Sequence, residues 1–424
     1  MPDPVAPLVF DWNAADRSEP VRRAALLDDT LRDGLQNASV RQPELSQRVE
    51  LLHRMAGLGV EAANLGLPGA SERAFADCLA LCREASRERL EIRVVVAGRT
   101  LERDMQAIVE LREASGVAVE GHAFVGSSPI RAEAEGWDLE LMKRRTAAAI
   151  GVLAAAGIPA TFVTEDTTRS RPDTLRALFD VALDAGATRL CLCDTVGHAT
   201  PDGARRLVDF TRAYLTERGV SAPIDWHGHN DRGLSLANAL AAFDAGADRL
   251  HATALGIGER VGNTPLELLM LNLWLSGHYP HDLRHLAAYC RRASEVLGFH
   301  IAANYPLVGA NAFRTATGVH AAAIQKAKRR DGALADGVYS AVPARTFGRA
   351  QEICIGAMSG ASNVRFWLAE RGIPENEELV RAVLLRARAS DHILSDGEIL
   401  EIVQVHTDSS SASRPQGERG RPWR

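Results

Sequence analysis

The sequence predicts an α/β protein built on a (β/α)8 TIM barrel with a C-terminal α-rich lid subdomain. Short apolar runs recur about every thirty residues, and each is followed by a stretch with helical spacing. Polar motifs follow the first, sixth, seventh and eighth of these runs. Eight strand-helix units close into a barrel, and barrel enzymes carry their chemistry at the C-terminal ends of the strands.

Each apolar run is expected to be a strand and each following stretch a helix. The predicted strands lie near residues 25–30, 61–67, 92–97, 117–124, 159–164, 188–194, 222–228 and 249–255. The predicted helices lie near residues 44–58, 71–88, 101–115, 138–156, 172–185, 201–217, 234–245 and 264–276. An open doubly wound sheet uses the same elements, but no GxGxxG turn follows the first strand. The closed barrel is therefore preferred.

The barrel needs roughly 250 residues, which leaves room in this 424-residue chain for further segments. We expect an N-terminal leader at 1–23, the catalytic barrel at 24–280, and a lid and dimerisation subdomain at 281–406. Residues 407–424 are rich in Ser, Pro, Gly and Arg and lack apolar periodicity, which predicts a disordered tail.

Composition indicates a cytoplasmic enzyme. The net charge of -5 and the pI near 6.2 argue against nucleic acid as a partner. There is no signal-peptide pattern at 1–23 and no run long enough to span a membrane. The six cysteines form no CxxC pair, which is typical of reduced thiols.

Two histidines mark a candidate metal site. His227 and His229 are two residues apart in the seventh predicted strand, so their side chains point to the same face. Asp33 follows the first predicted strand. Two imidazoles and a carboxylate leave open positions on a divalent cation, and they suit magnesium, manganese, cobalt and zinc alike. The alternative, two core histidines satisfied by hydrogen bonds, fits a spaced pair at a strand end less well.

Several motifs resemble the superfamily of isopropylmalate synthase, homocitrate synthase, citramalate synthase and hydroxymethylglutaryl-CoA lyase, the DRE-TIM metallolyases. They are LRDGLQN at 31–37, DTVGHATP at 194–201, HGHND at 227–231 and GIGERVGNTPLE at 256–267. Beyond the barrel, FRTATGVHAAAIQKA at 313–327 and GVYSAVPARTFGR at 337–349 resemble synthase segments that carry a catalytic histidine and a tyrosine. In those synthases this subdomain covers the partner's barrel mouth, which implies a homodimer with composite sites.

The resemblance also implies roles for individual residues around the metal. The metal ligands would be Asp33, His227 and His229, with Asn263 as a further ligand or a supporting group. Arg32 would stabilise the ketone oxygen of the substrate as it becomes an alkoxide. An ion pair with Asp28 or Asp29 is the alternative for Arg32, and both can hold together.

The implied base is His320, which would remove a C–H proton from the methyl group of an acyl-CoA thioester. Glu259 and Glu165 are its candidate carboxylate partners, and Tyr339 would donate to the alkoxide or order the lid. A surface or packing role is the alternative for His320, which lies in an Ala-rich predicted helix. Glu165 and Asp166 point to opposite faces of a strand, and the resemblance favours Glu165.

Three further residues are expected to contact substrate. Thr195 would bind the substrate carboxylate, with helix capping as the alternative. Gln36 in the LRDGLQN motif is a second candidate, and His122 in GHAFVGSSPI is a third, for either the 2-oxo acid or CoA. Ser127 and Ser128 beside His122 are weaker candidates for the same role.

The implied reaction is a divalent-metal-dependent Claisen condensation of acetyl-CoA with a 2-oxo acid. Thioester hydrolysis would follow and release a 2-substituted malate and CoA, so the enzyme would be an acyltransferase. Leu35 departs from the glutamate usual in the synthases and matches the lyase, but Glu259 and Arg260 stand in the loop where the lyase carries a cysteine. Thr161 stands where we expect the strand-5 arginine of homocitrate synthases, which argues against 2-oxoglutarate.

The part of the chain beyond the lid narrows the expected substrate. About sixty residues separate the lid from the tail, so we expect no leucine- or isoleucine-binding regulatory domain and a specialised pathway. The lid sequence GVHAAAI resembles the phosphinomethylmalate and phosphonomethylmalate synthases of antibiotic biosynthesis, with an isopropylmalate-type synthase next. An acyl-CoA lyase and a non-catalytic barrel partner remain alternatives, although an inert barrel should have lost at least one candidate ligand.

Overall fold

The computed structural model describes residues 8–13 and 21–412, with side chains up to residue 407. The chain forms two compact units, one over residues 17–302 and one that joins residues 1–16 to 303–424. Within the described residues, none of the helices combines the length and the apolarity that a bilayer span requires.

The first unit is a closed barrel of eight parallel strands in chain order, with β8 paired to β1. The (β/α)8 prediction is confirmed. The strands are β1 Ala25–Asp28, β2 Ala62–Asn64, β3 Arg93–Arg99, β4 Val119–Gly126, β5 Ala160–Glu165, β6 Ala187–Asp194, β7 Ile224–Gly228 and β8 Arg249–Ala252. The helices are α1 Leu45–Gly57, α2 Glu72–Arg87, α3 Glu102–Ser115, α4 Pro129–Glu135, α5 Leu139–Ala155, α6 Pro172–Asp184, α7 Pro201–Arg218, α8 Ser235–Asp244, α9 Leu266–Leu275 and α10 Leu286–Leu297.

Helix α4 was not predicted from the sequence. It begins with Pro129, and the side chain of Ser128 accepts a hydrogen bond from the backbone N–H of Arg131. The helix has seven residues and none of them is buried, so it carries no apolar periodicity that a sequence pattern could reveal. Capping by Ser128 and the fixed φ of Pro129 are the local reasons for it.

Helix α10 belongs to the barrel unit, although the barrel was predicted to end at residue 280. The Tyr289 hydroxyl donates to Asp28 on β1 at 2.6 Å, and Arg292 donates to Glu50 on α1 at 2.8 Å. These contacts and the apolar face of α10 pack it onto the barrel, which is why the unit extends to Ala302.

The interior of the barrel differs in polarity from one group of strands to another. Leu27, Ala62 and Val95 form a small apolar cluster on β1, β2 and β3. In β4, β7 and β8 the inward positions are charged instead: Arg249 donates to both Glu120 and Asp225 and is fully buried. Paired charges therefore fill part of the barrel core.

The second unit is mostly helical. Its helices are α11 Gly318–Lys328, α12 Gly332–Gly337, α13 Ala361–Glu370, α14 Glu377–Ala389 and α15 Asp396–Ala412, and a two-stranded parallel sheet pairs β9 Arg314–Thr315 with β10 Glu352–Ile353. Helix α15 differs from the predicted tail, because residues 407–412 are helical; Ile402 and Val403 pack on the apolar cluster of this unit and anchor the helix. Residues 413–424 and most of the predicted leader lie outside the described residues.

Candidate metal centre and active site

A cavity of about 190 Å³ lies at the C-terminal ends of the barrel strands. A barrel fold brings the ends of all eight strands to this face, so residues far apart in sequence meet there. The predicted site residues that line it are Arg32, Asp33, Gln36, His122, Glu165, Thr195, His227, His229 and Glu259.

The candidate metal ligands Asp33, His227 and His229 are close enough to share one ion. The Nε2 atom of His227 is 3.2 Å from Oδ2 of Asp33 and 3.3 Å from Nε2 of His229, and the third distance is 3.5 Å. Donor atoms that each lie about 2.1 Å from one ion are roughly 3.0–3.5 Å apart at ordinary bond angles. The three buried side chains therefore fit a divalent cation.

Asp29 contacts His227 and His251 with one carboxylate oxygen and Arg32 with the other. Its Oδ2 lies 3.3 Å from Nδ1 of His227 and 3.3 Å from Nδ1 of His251, and its Oδ1 accepts from Arg32 at 3.1 Å. A carboxylate at Nδ1 keeps the proton there and leaves Nε2 free for a metal. The sequence showed Asp29 only as an alternative partner of Arg32, and its contact with His227 was missed.

The same contacts shift the protonation of the two histidines. Burial by itself lowers the pKa of His227, but hydrogen bonds to Asp29 and Asp33 outweigh it, and the pKa of His227 rises to about 10. Burial and the neighbouring charge of His227 lower the pKa of His229 to about 4. Without a cation, His227 thus carries a proton on both ring nitrogens and a positive charge at neutral pH. With a cation bound, the metal would supply that positive charge instead.

Replacing Asp29 by asparagine is expected to weaken metal binding by about 10- to 100-fold, because Nδ1 of His227 loses its carboxylate. The affinity for Mn²⁺ is measured by competition with a chelator. Asp28→Asn is the matched control: Asp28 is equally buried in β1 but accepts from Tyr289 and the backbone of Thr30. An Asp29→Asn affinity equal to that of Asp28→Asn contradicts the role of Asp29.

Asn263 lies against the metal ligands as a hydrogen-bond partner. Its Nδ2 donates to Oδ2 of Asp33 at 2.6 Å, whereas its Oδ1 is buried without a hydrogen-bond partner among the described residues. A Cβ on Gly258 would lie 1.9 Å from that oxygen. This orientation fits a supporting group of Asp33, which is one of the two roles expected for Asn263.

Arg32 stands beside the candidate ligands with its charge held by two carboxylates. Its guanidinium is 3.1 Å from Asp29 and 3.7 Å from Asp33. Burial opposes the charge, but Asp29 and Asp33 outweigh that effect and raise the pKa of Arg32 above its ordinary value. Conversely, Arg32 and His227 outweigh burial and hold the pKa of Asp33 below its usual range. Both groups stay ionised.

Glu165 and Thr195 occupy the rim formed by β5 and β6. Burial raises the pKa of Glu165, and Arg131, 3.5 Å away, partly offsets this. The Thr195 hydroxyl oxygen accepts from the backbone N–H of Asp166 at 2.8 Å, so its proton is available to another acceptor. Asp166 itself pairs with Arg169, which leaves Glu165 as the carboxylate that lines the cavity.

The loop after β8 carries Glu259 to the same cavity. Its backbone turns sharply, with Gly262 at φ 96°, where a Cβ would meet the carbonyl oxygen of Gly256 at 1.9 Å. Arg260 pairs with Asp231 at 2.8 Å and also donates to the backbone oxygen of Thr195. Glycine is required in this loop, and Arg260 ties it to the ends of β6 and β7.

His320 and Tyr339 lie in the second unit and contact each other. Their rings stack with centroids 4.0 Å apart and 28° between planes. Both side chains are exposed, as are the neighbouring Val319 and Met358. The two residues that the motifs singled out in separate segments therefore form one exposed pair on α11 and the segment after α12.

The floor of the cavity contains the predicted His122 together with polar groups that were not predicted. His251 on β8 lines the cavity, and its Nε2 faces Asp225 at 3.0 Å. The Nε2 of His122 faces Glu120 at 3.0 Å. Alternating polar residues in otherwise apolar strands, such as EGH at 120–122 and RLH at 249–251, were the available signal.

One prediction is corrected in the lower part of the cavity, and two cysteines are found in its lining. Thr161 does not line the cavity; it is buried and donates to Glu120, and Val163 is the β5 side chain at the wall. Cys191 and Cys193, two residues apart on β6, also line the cavity. Burial raises the pKa of the Cys191 thiol well above its ordinary value, so it is not an activated nucleophile. All six cysteines are free.

Other groupings in the barrel unit fit a metal or substrate less well. Asp29, His227 and His251 form one further triad, but Arg32 already neutralises Asp29. Glu120, His122 and Asp225 form another, with Arg249 on both carboxylates. A larger groove of about 690 Å³ lies at the amino-terminal ends of β1 and β3. In barrel enzymes this face contributes to stability, whereas the active site lies at the opposite face.

Comparisons with known proteins agree with this architecture. The HMGL-like family model matches residues 23–290. Homocitrate synthase AksA of Methanopyrus kandleri is 31% identical over 399 residues, covering 92% of this chain and 94% of that protein. The probable 2-isopropylmalate synthase of the same organism is 30% identical over 373 residues, covering 86% and 69%. The 2-isopropylmalate synthase of Pyrococcus abyssi is 30% identical over 404 residues, covering 92% and 79%.

Solved structures show the same fold at lower identity. The HMG-CoA lyase from Brucella melitensis superposes with a TM-score of 0.54 at 18% identity, covering 65% of this chain and 98% of that chain. Hydroxymethylglutaryl-CoA lyase from Pseudomonas aeruginosa gives the same TM-score and identity, covering 65% and 93%. The chain therefore belongs to the HMGL-like family, in which it has 2-isopropylmalate and homocitrate synthases among its sequence relatives.

Proposed function

We propose that this protein condenses acetyl-CoA with a 2-oxo acid in a divalent-metal-dependent Claisen reaction and then hydrolyses the thioester. The products would be a 2-substituted malate and free CoA. The observation that carries the proposal is the spacing of Asp33, His227 and His229, with Arg32 beside them at the mouth of the barrel. The relatives named as 2-isopropylmalate and homocitrate synthases support the same reaction class.

Asp33, His227 and His229 would hold the cation, and Asn263 would orient Asp33. A bound divalent cation supplies Lewis-acid polarisation of the ketone and carboxylate oxygens of the 2-oxo acid. Arg32 stabilises the negative charge that develops on the ketone oxygen, and it does so without giving up a proton. The free hydroxyl proton of Thr195 serves as a donor to the substrate carboxylate, and Gln36, which lines the same cavity, is a second contact.

The condensation requires one proton to leave the methyl group of acetyl-CoA. His320 takes that proton, the methyl carbon forms the new C–C bond as the C=O π bond of the ketone opens, and the ketone oxygen receives a proton from the Tyr339 hydroxyl. The proton held by His320 then passes to the Tyr339 phenolate, which restores both groups. Water then attacks the thioester carbonyl, the C–S bond breaks, and the thiol of CoA leaves with a proton. Glu165 and Glu259 are the carboxylates at the cavity that orient the base.

The exposed pair of His320 and Tyr339 supports a site shared between two copies of the chain. Both rings are open to solvent within their own unit, and Val319 and Met358 beside them are exposed apolar side chains. We propose a homodimer in which this lid surface covers the cavity of the partner. Burial of the apolar residues would then exclude water while the C–H proton is removed.

For the substrate, we propose a phosphinomethylmalate- or phosphonomethylmalate-type synthase of antibiotic biosynthesis, with an isopropylmalate-type synthase as the next candidate. No arginine lies on β5, where Val163 lines the cavity, so the arginine that pairs with 2-oxoglutarate in homocitrate synthases has no counterpart on this strand, and 2-oxoglutarate itself is disfavoured. An acyl-CoA lyase of the hydroxymethylglutaryl-CoA type would use the same ligands, but the loop after β8 carries Glu259 and Arg260 in place of its cysteine.

The first test is release of free CoA from acetyl-CoA, followed with a thiol reagent in the presence of Mg²⁺ or Mn²⁺. The panel of acids is 2-oxoisovalerate, pyruvate, 2-oxoglutarate, oxaloacetate, phenylpyruvate and phosphonopyruvate. Thiol release that depends on one acid supports a synthase and identifies its substrate class. Silence across the panel by metal-loaded protein overturns the proposal in favour of a lyase or an inert barrel.

Replacing His320 by alanine is expected to lower CoA release by about 100-fold or more while the 2-oxo acid still binds, because the base acts on acetyl-CoA. His300→Ala, at another exposed histidine, is the control. Mixing His320→Ala subunits with Arg32→Ala subunits should restore activity in mixed dimers, because one composite site would then carry both residues. Mixed dimers without any recovered activity rule out a shared site.

A further inference from the structure

Asn64 is a buried amide at the cavity wall whose nitrogen has no partner. It is the last residue of β2, is 0% exposed, and lines the same cavity as the candidate metal ligands. Its Nδ2 makes no hydrogen bond with any described residue. A buried donor without an acceptor is disfavoured in a folded protein, and at a cavity wall it indicates that a ligand supplies the acceptor.

The orientation of Asn64 follows from the strand and from its own backbone. Ala62, two residues earlier, packs inside the barrel against Leu27 and Val95, so Asn64 points to the same interior face but nearer the C-terminal mouth. The backbone N–H of Gly66 donates to Oδ1 of Asn64 at 3.4 Å. This contact assigns Oδ1 as the acceptor end of the amide, which leaves the donor end free.

The walls beside Asn64 are apolar. Leu67, Ala97, Phe124 and Val163 line the same cavity, from the segment after β2 and from β3, β4 and β5. They provide space for a substrate side chain but no competing acceptor for the amide. An oxygen on a side chain that lies against these apolar walls would therefore find its donor in Asn64.

Positive charge is already paired in this part of the barrel. Among the described residues that line the cavity, Arg32 is the only arginine or lysine, and Asp29 and Asp33 hold it. Arg249, below the floor, is bound by Glu120 and Asp225. A group on the substrate side chain would thus be recognised by a hydrogen bond from Asn64 rather than by an unpaired cation.

We propose that Asn64 is a specificity-determining residue, whose Nδ2 binds an acceptor oxygen near the end of the side chain of the 2-oxo acid. This inference rests on the proposed function and names its substrate class: acids that end in a carboxylate, a phosphorus oxyacid or an amide, rather than a hydrocarbon. A hydrocarbon side chain leaves Nδ2 unpaired in the complex and is rejected for that reason.

The test compares three acids of nearly equal shape by calorimetry with the full-length protein and Mg²⁺, in the absence of acetyl-CoA. They are oxaloacetate, its neutral amide 2-oxosuccinamate, and 4-methyl-2-oxopentanoate, in which two methyl groups replace the terminal oxygens. The first two are expected to bind at least about tenfold more tightly than the third. Equal or tighter binding of the hydrocarbon acid by the wild-type protein overturns the proposal.

Asn64→Leu keeps the size of the side chain and removes the donor. The variant should lose the tenfold preference and bind 4-methyl-2-oxopentanoate at least as well as the wild type, while Asn272→Leu on α9 should keep the preference. An Asn64→Leu protein that weakens all three acids equally overturns the proposal. If this variant does not fold, the wild-type comparison decides.

The binding and thiol measurements separate this inference from the proposed function. Selective acid binding without CoA release from acetyl-CoA supports the role of Asn64 and overturns the condensation. CoA release with a hydrocarbon acid, together with absent selectivity in binding, supports the condensation and overturns the role of Asn64. A neutral amide that binds about tenfold more weakly than the dianion also counts against recognition by a hydrogen bond alone.

Discussion

Replacing His227 by alanine is expected to remove both bound metal and activity, the largest effect of any single change in the chain. Its Nε2 lies within 3.3 Å of both other candidate ligand atoms, and its Nδ1 faces Asp29. Without this imidazole, Asp33 and His229 offer one oxygen and one nitrogen, which hold a divalent cation weakly in water. The measurement is metal content after dialysis against Mn²⁺, together with CoA release.

His198→Ala is the control for this variant, because His198 is an exposed histidine in the neighbouring loop after β6. It should keep full metal content. A His227→Ala protein that retains stoichiometric metal and metal-dependent turnover would falsify the assignment of the site. His229→Ala should behave as His227→Ala does, because its Nε2 faces the same carboxylate.

Metal binding at this site should also depend on pH. In the metal-free protein the pKa of His227 is raised to about 10, so its Nε2 proton must leave when a cation binds. Affinity should therefore increase as the pH rises from 6 to 9, and calorimetry in two buffers of different ionisation enthalpy should report release of about one proton. Asp33 contributes little to this dependence, because its pKa lies below its usual range and it is already ionised.

Replacing Arg32 by alanine is expected to lower turnover by about 100- to 1000-fold while metal remains bound. The guanidinium acts on the charge that develops at the ketone oxygen, so its loss should reduce kcat and kcat/KM together. The turnover of Arg32→Lys should lie between that of the wild type and that of Arg32→Ala. A lysine keeps the charge but cannot form the paired contacts to Asp29.

The controls for Arg32 separate catalysis from metal binding and folding. Arg54→Ala removes an arginine whose ion pair with Glu50 lies on the outer helix α1, and it should leave turnover unchanged. Metal content of Arg32→Ala, measured as for His227→Ala, should stay near that of the wild type. Loss of metal in parallel with turnover would show instead that Arg32 acts by holding Asp29 and Asp33 in place.

Much of the barrel was predictable because its signals are local. The eight strands lie within a few residues of the predicted ranges, since each is an apolar run bounded by turn residues. Helix α7 begins at Pro201, where the predicted range 201–217 begins, with Thr200 capping it and Pro201 in the first turn. Short elements that depend on packing were missed, as with α4, and α10 was placed in the wrong unit because its partner Asp28 lies far away in sequence.

The candidate site likewise contains residues that were predicted from the sequence and residues that were not. Most of the residues predicted in the barrel line one cavity. Asn263 contacts Asp33 from beside it. Ser127 and Ser128 do not line it: Ser127 donates to the backbone oxygen of Glu165, and Ser128 caps α4. Asn64 and His251 were not predicted as site residues, and Thr161 lies deeper in the barrel than expected. Each of these depends on depth within the barrel, and depth is set by register between strands rather than by the order of residues in one strand.

The sequence by itself determined the strand-helix alternation and the pairing of His227 with His229, because side chains two residues apart on a strand share a face whatever surrounds them. Only the tertiary structure decided what lies beneath that pair. Pairing of β8 with β1 closes the barrel and brings His251 beside Asp29, more than two hundred residues away in the chain. The same closure buries Arg249 with Glu120 and Asp225, because charges enclosed in one interior must find partners within it.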